Sequence, residues 1–255
     1  MGTIAPLLGR YLSDIISSPN MEHLSAEDFL NGQTLLIDKE LNWTSFQAVN
    51  AIKWAIRKRF DLKKIKVGHA GTLDPLATGL LVICTGKHTK IIQNIQGQTK
   101  VYTGIITLGG TTPSYDLETT IDQNFPTDHI DKELLHYTTK KFIGDIEQFP
   151  PVFSALKKDG KRLYEFARAG EAVEITPRTI HIDQFDITAI EGVNIHFRVK
   201  CSKGTYIRSL AHDFGKALNS GAHLSSLRRE AIGDYAVNDA LSIEEFKQRI
   251  GFKEH

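Results

Sequence analysis

Cysteine is scarce in this chain, with two residues, Cys84 and Cys201, among 255. Both lie in short apolar segments that are typical of buried strands. A disulfide-stabilised domain needs several spaced cysteines, so we predict two reduced, buried thiols instead. The ten histidines and two cysteines also lack the paired spacing of metal ligands, and we therefore predict no metal site.

Long apolar runs are missing as well. No run approaches the roughly 18 residues that a membrane-spanning helix needs, and the N-terminus lacks a charged segment leading into an apolar stretch. We therefore predict a cytoplasmic protein without a membrane span. With 41% hydrophobic residues, the chain suits one large domain, or one domain and a small appendage, with a substantial core.

Net charge is nearly absent too, at +1, but the charged residues are unevenly distributed. Residues 57–66 hold six basic side chains and one acidic one, and residues 157–168 hold five basic and two acidic ones. Residues 116–147 hold eight acidic and three basic ones. A basic face on a near-neutral molecule can bind a polyanion locally. Ordinary solvated faces give the same pattern, so charge alone leaves nucleic-acid binding open.

Glycine and proline are concentrated around one carboxylate. Residues 68–79, GHAGTLDPLATG, carry Asp74 in a segment where Pro75 fixes its own backbone and keeps the preceding residue out of the helical region. The apolar run at residues 80–84 follows directly and predicts a buried strand. A stiff loop beside a core strand can present a reactive carboxylate. A surface Asx turn explains the same residues equally well.

The apolar periodicity predicts a mixed α/β domain around one twisted sheet. Predicted strands cover residues 34–38, 80–84, 101–108 and 193–201, and predicted helices cover residues 45–60, 128–142 and a segment starting near residue 204. The last strand shows a clean alternation of apolar and polar residues. Thr44 is the predicted N-cap of the first helix, with an apolar side formed by Phe46, Val49, Ile52 and Ile56.

Residues 68–81, GHAGTLDPLATGLL, resemble the catalytic loop of the TruB-type tRNA pseudouridine synthases. Further segments match this family in the same order along the chain. These segments are LIDK at 36–39, TS at 44–45, KVY at 100–102, PPVFSALK at 150–157, GKRLY at 160–164, CSKGTYIR at 201–208, GAHL at 221–224 and LRR at 227–229. The resemblance implies an antiparallel-rich central sheet with flanking helices and an RNA-binding cleft.

The family converts uridine to pseudouridine at position 55 in the T-arm of tRNA. The bond between C1′ and N1 breaks, the uracil turns, and the sugar is rejoined through C5, so no redox step, metal or cofactor is needed. The resemblance implies this activity here, with Asp74 as the catalytic residue and tRNA as the partner. We also expect the protein to be a monomer.

The resemblance assigns substrate-binding roles to five further residues. Arg208 is implied as the charge partner that keeps the catalytic carboxylate ionised, and Tyr102 as the aromatic residue stacked on the target uracil. His69 is implied to fill the space that the extruded uridine leaves, and Tyr206 and Leu227 to line the uridine pocket. The residues alone also allow a phosphate-facing Arg208, a core Tyr102 and a surface His69.

Basic side chains are expected to contact RNA phosphates, which set affinity and register rather than sequence choice. The candidates are Lys39, Arg57, Lys64, Lys157, Lys161, Arg162, Lys203, Arg228 and Arg229. Residues 150–175 combine prolines with basic and aromatic residues and predict a mobile insertion. The resemblance implies that this insertion closes over the T-arm.

The chain departs from the family pattern in two places. Glu40 and Asn42 stand where the family's Asp-Lys-Pro-x-Gly-x-Thr-Ser turn has Pro and Gly, which leaves the geometry of this turn open. Family members commonly carry a C-terminal PUA domain, whereas about 26 residues follow Arg229. We therefore expect an N-terminal extension at 1–33 without clear periodicity, a catalytic domain at 34–255, and no full PUA domain.

Other functions stay open from the residues alone. An enzyme of this type acting on another RNA uridine has the same motifs, as does an RNA-binding or RNA-folding protein with incidental catalysis. A nucleoside hydrolase or glycosidase usually needs two carboxylates, and Asp74 is the one carboxylate in a motif built to present it. The joint presence of Asp74, Tyr102 and Arg208 favours a pseudouridine synthase over a binding protein.

Overall fold

The computed structural model of the chain describes residues 21–154, 156–158, 160–171 and 173–253. Residues 1–20 of the predicted N-terminal extension lie outside this part of the chain. The rest of the extension contains a regular helix, which corrects the expectation of an irregular segment. The helix begins after Ser25, whose hydroxyl accepts a hydrogen bond from the Asp28 N–H, while the Asp28 carboxylate accepts one from the Ser25 N–H.

The elements are numbered here in chain order. The α-helices are α1 (Ala26–Asn31), α2 (Ser45–Arg59), α3 (Ile92–Gln96), α4 (Lys132–Thr139), α5 (Leu163–Ala169), α6 (Ile207–Ala217) and α7 (Ile243–Arg249). The strands are β1 (Thr34–Lys39), β2 (Val67–His69), β3 (Ala77–Thr85), β4 (Lys100–Leu108), β5 (Gly110–Thr111), β6 (Gln123–Asn124), β7 (Gly144–Gln148), β8 (Lys157–Lys158), β9 (Lys161–Arg162), β10 (Arg178–Glu191), β11 (Asn194–Cys201), β12 (Ala222–Ile232) and β13 (Tyr235–Ala236). Short 3₁₀ helices lie at Met21–His23, Gly86–Ile91, Lys140–Phe142 and Val237–Asp239.

The described chain divides into two compact units, and the first contains residues 21–98 and 228–253. In this unit β3 pairs antiparallel with β1, which puts Lys39 opposite Gly79, and also pairs antiparallel with β2. Residues 80–84 of β3 are fully buried, which confirms the strand predicted there. The loop that carries Asp74 therefore leads directly into the best-buried strand of the unit.

Helix α2 confirms the predicted helix, because it begins after Thr44 and ends at Arg59, with Phe60 as its C-cap. A capping box between Thr44 and Gln47 holds its first turn. Its buried side chains join a core cluster with Leu81 of β3 and Phe246 of α7. Phe46 is instead 71% exposed, so its predicted place on the apolar side is wrong. The contacts of this helix with the apolar core begin at Ala48 and Val49.

The second unit contains residues 99–227, and in it β4, β11, β10 and β7 pair antiparallel in that order. The alternation predicted for the strand at 193–201 is confirmed from residue 194 onward. The buried residues of β11 are Ile195, Phe197, Val199 and Cys201. Val193, before the strand, is 42% exposed.

Gly104 of β4 has no room for a side chain, since a Cβ there would lie 2.2 Å from the Ser226 carbonyl oxygen.

Two predicted helices differ from the observed ones at their starts. The helix expected from residue 128 begins at Lys132, because the Asp131 carboxylate caps it by accepting a hydrogen bond from the Leu134 N–H at 2.7 Å. It ends in the 3₁₀ turn Lys140–Phe142. Helix α6 begins at Ile207 rather than near residue 204, and its apolar residues Ile207, Leu210, Ala211 and Phe214 are buried.

The mixed α/β fold class with antiparallel strands and packed helices is confirmed. Cys84 and Cys201 are free and buried, as predicted, and burial raises the pKa of each thiol to about 11. Among the described helices, none combines the length and the apolar character that crossing a bilayer requires. In residues 150–175, the hairpin β8–β9 precedes α5.

Candidate active site

Asp74 lies in the loop between β2 and β3 and is half-buried. The Ala77 N–H donates to the Asp74 carbonyl at 3.1 Å and closes a turn around Pro75. Gly79, just inside β3, has a φ of 99°, and a Cβ there would lie 2.4 Å from the Arg229 carbonyl oxygen. Since any side chain at residue 79 would clash with backbone, the loop is fitted closely against β12.

The turn between β1 and α2 is hydrogen-bonded to this loop. The Leu73 N–H donates to Ser45 Oγ at 2.8 Å, and the Asn42 N–H donates to the Pro75 carbonyl at 2.8 Å. Asn42 has a φ of 66°, the left-handed conformation that glycine usually takes and that asparagine tolerates. Asparagine thus adopts a left-handed conformation at the position where the family pattern has glycine, and this defines the geometry of the turn that the sequence left open.

Lys39, at the end of β1, is fully buried. Its ammonium donates to the carbonyls of Trp43 at 2.6 Å, Glu40 at 2.9 Å and Pro75 at 3.5 Å. Burial lowers its pKa to about 8, an effect that the negative charge of Asp74 opposes. These contacts correct the assignment of Lys39 as a phosphate contact, because its charge stabilises the turn and the Asp74 loop instead.

The lowered pKa of Lys39 predicts a pH-dependent stability. Unfolding restores the ordinary pKa of about 10.4, so between about pH 8 and pH 10.4 the unfolded chain binds the extra proton. The contribution of Lys39 to the free energy of unfolding therefore rises with pH across that window. Urea unfolding of the parent and of Lys39→Met at pH 7 and pH 9.5 measures this contribution. The parent should gain stability relative to the variant at the higher pH.

A matched control for that measurement is Lys64→Met, at a lysine that is exposed in the same unit. Its difference from the parent should stay constant with pH. If the free energy of unfolding of the parent minus that of Lys39→Met stays constant or falls as the pH rises, the burial of a charged Lys39 is contradicted.

The adjacent residues Arg228 and Arg229 have different surroundings. Arg229 is 1% exposed, and its guanidinium donates to the Leu80 carbonyl at 2.8 Å and to the Gly71 carbonyl at 3.0 Å. Its assignment as a phosphate contact is therefore corrected, because it supports the loop from inside. Arg228 is partly exposed and makes two hydrogen bonds to the Asp38 carboxylate, at 2.7 and 3.0 Å.

His69 lies at the end of β2, five residues before Asp74, and is half-buried. Burial lowers its pKa, the carbonyl of Gly71 opposes this, and the charge of Arg229 lowers it further. The imidazole is therefore neutral near pH 7. A neutral, partly buried ring is compatible with the predicted space-filling role, which stays a prediction.

In the second unit, Arg208 is the second residue of α6 and is 4% exposed. Its Nε lies 3.6 Å from a carboxylate oxygen of Asp116, and a terminal nitrogen donates to the Ser114 carbonyl at 3.3 Å. Asp116 is 5% exposed, so the ion pair is buried. The predicted pairing of Arg208 with Asp74 involves residues of different units and stays a prediction.

Sequence reasoning missed Asp116, which we had counted with the acidic residues of the 116–147 region. Hydroxyl groups earlier in the same turn bond to its backbone carbonyl. Thr112 Oγ1 and Ser114 Oγ donate to the Asp116 carbonyl at 2.7 and 3.1 Å. The run of small polar residues before Asp116 was the available signal, and it predicts a turn rather than a buried ion pair.

Three residues with predicted substrate-binding roles, Tyr102, Tyr206 and Leu227, lie in the second unit. Tyr102 is buried on β4, opposite Val199 of β11. Tyr206 caps α6, and its backbone N–H and carbonyl both bond to the side-chain amide of Gln148, at 2.8 and 3.0 Å. The guanidinium of Arg178 lies 4.5 Å from the centre of the Tyr206 ring. Leu227, on β12, is partly buried.

The remaining candidates for phosphate contacts divide by their exposure. Exposed side chains are Arg57, Lys64, Lys161 and Lys203. Arg57 also donates to the Leu62 carbonyl at 3.2 Å, and the Lys161 ammonium lies 5.6 Å from the centre of the Phe166 ring. The side chains of Lys157 and Arg162 lie outside the described part of the structure. In that described part, no group of three or more His, Cys, Asp or Glu residues could hold a metal ion.

Comparison with known proteins identifies relatives over almost the whole chain. The sequence model of the TruB family pseudouridylate synthase N-terminal domain matches residues 57–207, and that of the tRNA pseudouridylate synthase B C-terminal domain matches residues 208–255. A tRNA pseudouridine synthase B of Flavobacterium johnsoniae is 61% identical over 228 residues, or 89% of this chain and 100% of the relative. Its counterpart in Phocaeicola vulgatus is 54% identical over 221 residues, or 87% and 94%.

Solved structures resemble the fold as well. A chain in the crystal structure of a Cbf5-Nop10-Gar1 complex matches with a TM-score of 0.65 and 27% sequence identity. The match covers 92% of this chain, which spans 60% of the length of the solved chain. A chain of an H/ACA RNP bound to a substrate RNA containing 2′-deoxyuridine matches with a TM-score of 0.62 and 26% identity, covering 94% and 64%.

Proposed function

Since this chain belongs to the TruB family of pseudouridylate synthases, we propose that it isomerises uridine to pseudouridine at position 55 in the T-arm of tRNA. The observation that carries the proposal is the presentation of Asp74. Its loop is bonded to Ser45, Asn42 and Lys39, and the buried Arg229 donates to the carbonyl of Gly71 within it. Such preorganisation keeps a carboxylate in a fixed position before the substrate arrives.

Asp74 is the proposed catalytic residue. The isomerisation breaks the C1′–N1 bond and forms a C1′–C5 bond, and the proton at C5 leaves while N1 gains one, so the atoms balance without any co-reactant. The proposed role of Arg208 is to keep the Asp74 carboxylate ionised and oriented. Tyr102 is proposed to stack on the detached uracil and hold it while it turns, with Tyr206 and Leu227 lining the pocket.

Recognition of tRNA is proposed to use the exposed basic residues and an extruded uridine. The described side chains that remain as proposed phosphate contacts are those of Arg57, Lys64, Lys161, Lys203 and the partly exposed Arg228. Extruding a uridine from a folded loop costs a few kcal/mol of stacking, which a ring such as His69 can offset by filling the space. We also propose that the protein acts in the cytoplasm as a monomer.

An unmodified tRNA transcript tests this proposal. The protein is incubated with the parent transcript and with one in which uridine 55 is replaced by cytidine, and pseudouridine is mapped by position. Modification at position 55 in the first transcript and none in the second is expected. Modification of another uridine would contradict the proposed specificity. Tight binding without modification would support an RNA-binding protein instead, and release of free uracil from uridine would support a hydrolase.

A further inference from the structure

Helix α6 contacts the 112–116 turn at two points one helical turn apart. Arg208 pairs with Asp116 and bonds to the Ser114 carbonyl. His212, four residues later on α6, stacks on Tyr115, with ring centres 3.9 Å apart and an angle of 15° between the rings. Since residues four apart lie on the same face of a helix, both contacts come from one face of α6.

Tyr115 occupies a conformation that is unfavourable for its residue type. Its φ of 64° lies in the left-handed region, which costs a bulky residue about 1 kcal/mol or more. Backbone hydrogen bonds hold it there, with its N–H donating to the Thr112 carbonyl at 3.1 Å and its carbonyl accepting from the Leu224 N–H at 2.9 Å. This conformation sets the direction of the backbone at the next residue, Asp116.

The imidazole of His212 contributes its ring face to this contact. Its Nδ1 is buried and has no hydrogen-bond partner among the described residues. Burial lowers the pKa of His212, the charge of Lys216 lowers it further, and Asp122 opposes this. The ring is therefore neutral near pH 7, and it packs against the tyrosine as an uncharged aromatic group.

We infer that His212 and Tyr115 are positioning residues for the reaction, because their ring stack holds the turn in the conformation that keeps the Asp116 carboxylate on Arg208. Neither residue touches the substrate in this role. They act through Asp116 on the orientation of Arg208, and the inference rests on the proposed function of Arg208. Losing the stack lets the turn relax, which misdirects the guanidinium without removing it.

The test compares His212→Ala with His212→Phe on the unmodified tRNA transcript. The alanine variant should lower kcat about fivefold with KM unchanged, the size of effect expected from one lost aromatic pair. The phenylalanine variant should restore most of kcat, because it keeps an aromatic ring at this position. The Nδ1 atom that it removes has no hydrogen-bond partner among the described residues. Tyr137→Ala, at an exposed tyrosine of α4, serves as the control and should leave kcat and KM unchanged.

A double-variant cycle separates positioning from general destabilisation. Tyr115→Ala combined with His212→Ala should lower kcat no further than the more damaging single change, because both remove one stack. The inference would be overturned if His212→Ala kept the parental kcat or changed only KM. It would also be overturned if the losses of the Tyr115→Ala and His212→Ala changes were additive, or if His212→Phe failed to restore activity. A parent protein that forms no pseudouridine would instead refute the proposed function.

Discussion

Replacing Asp74 with asparagine is expected to reduce pseudouridine formation by at least about 10⁴-fold, with the protein still folded and still binding tRNA. The substitution keeps the size of the side chain and removes its charge and its capacity as nucleophile or base. Loss of a general base typically costs about 10²- to 10⁴-fold, and loss of a catalytic nucleophile on the order of 10⁶-fold. The backbone contacts of the loop involve Leu73 and the carbonyls of Asp74 and Pro75, so they survive the change. Single-turnover modification of an unmodified tRNA transcript measures the effect.

The control for this experiment is Asp234→Asn, in the exposed turn between β12 and β13 of the same unit. It removes the same charge and should modify tRNA at the parental rate. Electrophoretic mobility shifts with the same transcript report binding by all three proteins. Activity of Asp74→Asn within about tenfold of the parent would contradict a catalytic role for this carboxylate.

The second large effect is expected from Arg208→Lys, which should lower kcat about 100-fold or more, in the range seen when one stabilising donor is lost from an active site. Lysine keeps the charge but has a single terminal ammonium. It cannot reproduce the contacts that the guanidinium makes to Asp116 through Nε and to the Ser114 carbonyl through a terminal nitrogen. Under the role proposed for Arg208, the new ammonium would therefore orient the Asp74 carboxylate less well.

Arg198→Lys provides a matched control, since Arg198 is exposed on β11 in the same unit. It should retain parental activity. Asp116→Asn should resemble Arg208→Lys in kcat, and the double variant should show less than the product of the two losses, because the two side chains act through one contact. Parental kcat in Arg208→Lys would rule out a role for the guanidinium geometry.

Three buried cations show why residue type alone does not reveal a role in binding. Lys39, Arg208 and Arg229 are each at most 4% exposed. Two of them, Lys39 and Arg229, looked like phosphate contacts in the sequence. Both instead donate to backbone carbonyls around the Asp74 loop, including those of Pro75 and Gly71. A buried charge is retained only where hydrogen-bond partners satisfy it, and some of those partners, such as Pro75 for Lys39 and Gly71 for Arg229, are distant in sequence.

The sequence by itself determined the local elements of this protein and marked out the loop that carries Asp74. The capped helix from Thr44, the buried strand after Asp74 and the alternating strand β11 follow from capping chemistry and apolar periodicity, which act over a few neighbouring residues. The loop was recognisable because its glycines and Pro75 must lie near the carboxylate in sequence. The left-handed Asn42 could also have been anticipated, since asparagine tolerates that conformation.

Tertiary structure alone decided which side chains support that loop and which face solvent. The contact of Arg229 with Gly71 spans 158 residues, and that of Arg208 with Ser114 spans 94. Phe46 follows the helical apolar pattern yet is exposed, because the core begins one turn later. Burial of a side chain depends on the elements packed around it rather than on its neighbours in sequence. The support of the Asp74 loop by Lys39 and Arg229, and the pairing of Arg208 with Asp116, therefore became evident only in the folded chain.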